Sequence, residues 1–401
     1  MLINKKFDRS LWIRFWGELI LGIGFFMIYP FLSLYLNDKL SGNTLMVGLV
    51  LASSPIAALI GSLMGGSIAD RMGRKPVMVI SLMFCSLTTA GYIIAKSALS
   101  FAIIGFVQGF FNSIYHPAAS AMVADVTKEE DRLEAYGLLR IGINVGAAVG
   151  PIVGAIIFFF SKELIFLMLS VLNMLFALVT LIFIKESRLD IKTNMEKHNV
   201  IYKGYSFVFK DIRFLIYLIA GIFLSIAYAQ PDIILPIYFK NENINIKYFA
   251  SPYAFLMALN GAMVVLFQMP ISRYLETKPL KVSLVGAGIM FSLSMFIYSM
   301  KLPFYVYILS NMIYTIAEMF EAPAVMKFVA HISPEDRRGE YMGASGMRWT
   351  IGRILGPILG GSINNYFGTQ YLFLLMGIFC LISAYLFKKM CEIIEKPVKE
   401  I

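Results

Sequence analysis

Runs of about twenty apolar residues recur along the whole chain, and they constrain its fold more than any other feature. In hydrocarbon, every backbone polar group must be satisfied within the protein, so such runs fold as spanning helices, each about 20 residues long. Twelve segments meet that length: 12–36, 44–69, 76–95, 99–124, 133–160, 163–184, 212–239, 249–272, 279–300, 303–328, 340–365 and 369–388. Of the 401 residues, 58% are hydrophobic and 15% charged, whereas soluble domains average about 45–50% and about 25%. No polar stretch exceeds roughly 30 residues, too short for an ordinary soluble domain. The start, Met1 to Arg14, is polar and leads into a span-length run, so no cleaved leader is expected. The expected fold class is an all-α polytopic membrane protein with twelve transmembrane helices.

The net charge of +10 has a specific placement. Of 35 Lys and Arg, 25 lie at the two ends and in alternate loops, six lie in the intervening loops, and four (Arg140, Lys327, Arg348, Arg353) lie within spans. Such a bias marks the cytoplasmic side. It implies a multi-pass protein of the cytoplasmic membrane with both termini inside, and it accounts for the basic balance without a nucleic-acid partner. Cys85, Cys380 and Cys391 are scattered, as are the three histidines, so no disulfide or metal spacing is present.

The fifth span carries glycine every fourth residue: Gly142, Gly146, Gly150-Pro151 and Gly154. Glycine at that spacing clears one face of a helix for close backbone approach, and an internal proline bends it. The run returns 206 positions later as Gly352, Gly356-Pro357 and Gly360. In the same register, Pro117-Ala118 matches Pro323-Ala324, Glu129 matches Glu335, Arg132 matches Arg338 and Gly137 matches Gly343. Spans four and five therefore correspond to ten and eleven. Two six-span halves follow, 1–184 and 212–401, joined by a cytoplasmic linker at 185–211. Parallel repeats of this kind place a substrate site near the bilayer midplane.

Between spans two and three stands Gly66-Ser-Ile-Ala-Asp70-Arg71-Met-Gly73-Arg74-Lys75, a charged turn reversing at glycine. Its full spacing, G-x-x-x-D-R-x-G-R-K, resembles the signature of the major facilitator superfamily, and the likeness covers essentially the whole chain. The Gly-Pro helix is similar to the motif of that family's drug:proton antiporter branch, the twelve-helix multidrug-efflux type. The resemblance implies that Asp70 docks on the start of helix eleven and that Arg74 pairs with Asp125, latching the cytoplasmic side. It also implies that helix five packs against helix eight, and that the chain works as a monomer. The helix-four motif R-x-x-Q-G of the family reads Gly105-Phe106-Val107-Gln108-Gly109 here, without the arginine, so its proton-relay role is not assigned to this position; Arg140 on helix five is a candidate substitute.

An ionisable group within a span needs a reason, because a mid-bilayer charge costs about 2.5–3.5 kcal/mol on insertion scales. Glu18 is a candidate proton or cation site, or else the partner of Arg14 one turn earlier. Asp232 follows Pro231, where a bend exposes backbone. Glu318 and Glu321 share one face of helix ten, so mutual repulsion favours a proton on one of them; the alternative is a clamp to Arg348 or Arg353. His116 beside Pro117 titrates near neutrality when unperturbed. Aromatic residues such as Phe25, Phe110, Tyr228 and Tyr253 are candidate cavity lining.

These features point to a secondary active transporter that exports small amphipathic, drug-like compounds by exchange with protons, through alternating access. No cofactor is expected, since the proton gradient is the energy source; no Walker-type loop, H-E-x-x-H or G-x-S-x-G occurs, so an enzyme is not expected. A metabolite, sugar or lipid carrier of the same superfamily is the alternative, although Lys185-Glu186-Ser187-Arg188 lacks the prolines of the sugar porters' P-E-S-P-R. A transport-inactive receptor has no signalling domain here to act through.

Overall fold

A computed structural model describes residues 7–187, 207–244, 252–334 and 337–395, which are helical nearly throughout. Six helices form the first half: α1 Arg9–Lys39, α2 Thr44–Met72, α3 Arg74–Ile94, α4 Ala98–Val126, α5 Arg132–Phe160 and α6 Lys162–Phe183. The second half has α7 Ile212–Tyr228, α8 Gln230–Asn241, α9 Pro252–Glu276, α10 Leu280–Tyr298, α11 Phe304–Ile332, α12 Arg338–Ser345, α13 Met347–Phe367 and α14 Thr369–Glu395. Helices α7–α8 make one crossing broken at Ala229, where Pro231 has no N–H to continue the ladder. Helices α12–α13 make another, broken at Gly346. Among the described residues the crossings therefore number twelve, ten of them long and apolar enough to span by length and composition alone. The other two, α11 and α12–α13, carry Glu318 and Glu321, and Arg348 and Arg353.

Local chemistry starts the helices. The Asp8 carboxylate accepts the Ser10 amide at 2.7 Å to cap α1, Asn43 accepts from Met46 to cap α2, and Ser97 and Ser100 form a reciprocal box at α4. The chain divides into two compact units, Met1–Ile191 with Phe239–Ala258, and Lys192–Tyr238 with Leu259–Ile401. Most of the expected linker, 188–206, lies outside the described residues.

In the first unit, α1 packs on α5, α2 on α4, and α3 on α4 and α6. In the second, α7 packs on α13 and α14, and α10 on α11 and α14. The glycine face of α5 lies against α1. A methyl group on Gly146 would stand 2.7 Å from the Gly22 carbonyl carbon, and one on Gly154 would stand 2.4 Å from the Met27 oxygen. The α13 glycines face α7 and α8 in the same way: a methyl on Gly352 would meet Ser225 Cβ at 2.4 Å, and Gln230 fills the space beside Gly360. Close backbone approach seals the α1–α5 crossing, whereas the side chains of Ser225, Ala229 and Gln230 fill the glycine face of α13. Large apolar side chains such as Leu63, Ile94, Phe160 and Val265 are exposed, as residues of spanning helices can be in lipid.

Candidate functional site

The charged residues of the spans differ in their partners within each half. In the second half, Glu318 sits midway along α11, partly buried. Tyr228, the last residue before the break of the seventh crossing, donates its hydroxyl to Glu318 Oε1 at 2.5 Å. Asn260 of α9 donates to Glu318 Oε2 at 2.6 Å and to Thr315 Oγ1 at 2.9 Å. Thr315 in turn donates to the Asn311 carbonyl. Rings wall the site. Tyr228 lies 5.5 Å from Tyr314 and 4.8 Å from Trp349, and Phe291 lies 5.1 Å from Tyr314. The Tyr314 hydroxyl donates to the Tyr228 carbonyl at 3.0 Å and so braces the helix break. Asp232 is one helical turn beyond Tyr228, on α8. The carboxylate of Glu318 is thus held by two neutral donors and walled by rings, a setting suited to binding a proton or a cation by electrostatics alone.

Glu321, three residues on, has a different fate. Its Oε1 lies 2.5 Å from Arg348 Nη1, and both side chains are buried. The sequence leaves the two glutamates equivalent; the position of Arg348 on α13 separates them. In the first half, Glu18 pairs with Arg14 of the same helix face, and Arg14 also donates to the Tyr115 hydroxyl. His116 is exposed, its ring 5.7 Å from that of Tyr115 between centroids. Arg140 is exposed on α5 and forms no ion pair among the described residues. Lys327 reaches back to the carbonyls of Glu276 and Lys278, each at 3.0 Å, closing the end of α9.

The charged turn after α2 is built around Gly73, whose φ of 99° is a conformation glycine adopts freely. Arg74 lies 3.0 Å from Asp70 and 3.3 Å from Asp125. Glu186, just past α6, accepts the amides of Arg74 and Lys75 at 3.0 and 3.2 Å and so caps α3. Ser187 donates to Asp125 at 3.1 Å. The sequence marks Glu186 only as part of an incomplete sugar-porter motif; its place under the glycine turn depends on the approach of α6 to α3. Asn260 and Thr315 are illegible as site residues, being ordinary polar groups on long helices, whereas Tyr228 is marked in the sequence only as candidate cavity lining. Among the described residues, no cluster of His, Cys, Asp and Glu is arranged to hold a metal ion.

Comparison with known proteins places these features in context. A family model described as Major Facilitator Superfamily matches residues 15–319 and 256–397. The chain is 28% identical, over 98% of both chains, to a protein named Na(+), Li(+), K(+)/H(+) antiporter from Planococcus maritimus. It is 23% identical to a protein named Multidrug resistance protein MdtH from Aeromonas hydrophila, over 91% of this chain and 90% of that one. Among solved structures, the nucleoside transporter NupG superposes with a TM-score of 0.80 at 16% identity, covering 97% of this chain and all of that one. A POT family transporter in complex with 5-aminolevulinic acid superposes at 0.79 with 14% identity, covering 97% of each. At these identities the structural matches establish the fold.

Proposed function

The chain belongs to the Major Facilitator Superfamily, a multi-pass membrane transporter, and we propose that it is a proton-coupled antiporter of the cytoplasmic membrane that exports small amphipathic compounds, cationic ones first. The observation that carries this reading is Glu318, a carboxylate inside a span that forms no salt bridge among the described residues, held by Tyr228 and Asn260 and surrounded by rings. A charge at that depth is unfavourable by about 2.5–3.5 kcal/mol on insertion scales. Taking up a proton or a cation relieves that burden, and the two occupants compete for the same oxygens. Exchange follows from that competition: a proton displaces the cation on one side of the membrane, and the cation displaces the proton on the other. Asp232 supplies further negative charge along the same crossing. Aromatic faces favour organic cations through their π-systems. The chain's own side chains bind and release; they form no covalent bond.

A second reading replaces the organic cation with an alkali cation. The relative named for Na(+), Li(+) and K(+) exchange favours it, and the oxygens of Glu318, Thr315 and Asn260 are of the right hardness for such ions. Proteoliposomes with an imposed pH gradient, offered tetraphenylphosphonium, sodium, potassium and a neutral nucleoside in separate arms, decide between them. Gradient-dependent flux of tetraphenylphosphonium supports the first reading, and flux of sodium or potassium alone supports the second. Flux of the nucleoside alone, or of nothing, contradicts both.

A further inference from the structure

The glycine crossings fix the register between the two halves, residue by residue. Gly146 meets Gly22, Gly150 meets Ile23 and Phe26, and Gly154 meets Met27. Gly352 meets Ser225, Gly356 meets Ile226 and Ala229, and Gly360 meets Gln230. Helix α5 thus maps onto α13 with a shift of 206, and α1 maps onto α7–α8 with a shift of 203, at every crossing. The ungapped repeat carries α4 onto α11 with the same shift of 206.

On that register Arg14 falls on Tyr217, Glu18 on Gly221, Tyr115 on Glu321 and Gly142 on Arg348. Both sets of four positions contain one arginine, one glutamate, one tyrosine and one glycine, and no residue type keeps its place. The interactions are nevertheless of one kind. In the first half Arg14 bonds Glu18 and stands 5.1 Å over the Tyr115 ring. In the second, Arg348 pairs with Glu321 and stands 5.7 Å over the Tyr217 ring. The glycine of the second set makes room for the arginine, and that of the first set makes room for the α1 backbone at Phe15 and Leu19 beside the glutamate. Gly142 lies against Glu18 Cβ, and a methyl on Gly221 would stand 2.5 Å from Arg348 Cδ. The three charged or phenolic side chains of both sets are buried.

We infer that these are one device built twice: a charge-neutral pin that fixes the first helix of each half to its fourth, and in the second half to its fifth-helix counterpart as well. Glu18 and Glu321 remain paired with their arginines through the transport cycle, and the proton carrier is found elsewhere. Arg14, Glu18, Arg348 and Glu321 are positioning residues. The inference rests on the transporter reading for its flux readout only. Its physical basis is that a buried charge without its partner is strongly destabilising, whereas a buried pair replaced by apolar groups of similar volume is not.

The test uses the full chain, purified in detergent for melting temperature and reconstituted for pH-gradient-driven flux of tetraphenylphosphonium or of whichever cation the wild type carries. Arg348→Leu and Glu321→Leu alone are expected to lower the melting temperature and cut flux by at least about tenfold, and Arg348→Leu/Glu321→Leu together to restore both to within about threefold of wild type, with the pH profile unmoved. A transplant of the first-half pin, Tyr217→Arg/Gly221→Glu/Glu321→Tyr/Arg348→Gly, is expected to melt above Arg348→Gly alone. A double variant that folds but transports without regard to pH overturns the inference, as does a transplant no better than Arg348→Gly. Glu318→Gln runs alongside: if it leaves coupling intact, the function proposed above fails while the melting temperatures still decide the pin.

Discussion

Tyr228 donates its hydroxyl to Glu318 across 2.5 Å, tying the break of the seventh crossing to the middle of α11. Any change in the occupancy of the carboxylate therefore reaches the point where α7 gives way to α8. A bond from a neutral donor to a charged acceptor contributes about 1.5–3 kcal/mol. Tyr228→Phe is accordingly expected to weaken cation binding by about tenfold to a hundredfold, with coupling retained. Equilibrium binding of tetraphenylphosphonium to the purified variant checks it.

Two glycines of α5 respond oppositely to the same substitution. Gly146→Ala drives a methyl into the backbone of Gly22 and is expected to destabilise by about 1–3 kcal/mol, as overpacking does. Among the described residues nothing lies within 4 Å of the position a methyl on Gly137 would take, so Gly137→Ala is expected to stabilise by about 0.5–1 kcal/mol through helix propensity. Melting temperatures of the two variants in one detergent give the comparison. A shift of the same sign in both removes the close-approach account of the helix.

Glu186 caps α3 from beyond the end of α6. Glu186→Ala is expected to release the first turn of α3 at about 1 kcal/mol. Hydrogen exchange at the Arg74 and Lys75 amides accelerates about fivefold if so, and unchanged protection there counts against the cap.

Asp211 gives a pH signature outside the membrane segments. Burial works to raise its carboxyl pKa, but bonds from Arg213, the charge of that guanidinium and the Tyr341 hydroxyl together hold it below the usual range. A depressed carboxyl stabilises the folded state above its unfolded pKa of about 3.9 and loses that contribution as pH falls through the folded value. Asp211→Asn should therefore melt lower than wild type between about pH 5 and 8, with the gap closing below about pH 4. A gap that widens on acidification reverses the sign and contradicts the assignment.

How much was legible in the sequence depends on range. Apolar runs of span length, the Gly-Pro repeat and the Arg14–Glu18 spacing are local, and each reads directly from residue order. The break at Pro231 is local too. The division of labour between Glu318 and Glu321 is not, because it turns on where Arg348 comes to rest from another helix. The doubled pin was hidden for a different reason. Its residues exchange places, and the shift along α1 is three positions short of the shift along α4 and α5, so no single register aligns them. The glycine face was recognised as a close-packing surface, but its partner, α1, emerges only from the fold.

The central claim is that Glu318 carries the exchanged proton. It is tested most directly by proteoliposomes containing Glu318→Gln, driven by an imposed pH gradient and, separately, by a substrate gradient alone. The account predicts that the variant folds, has lost gradient-driven accumulation of the cation by about a hundredfold or more, and is indifferent to pH. Accumulation that still follows the pH gradient at the wild-type level contradicts it.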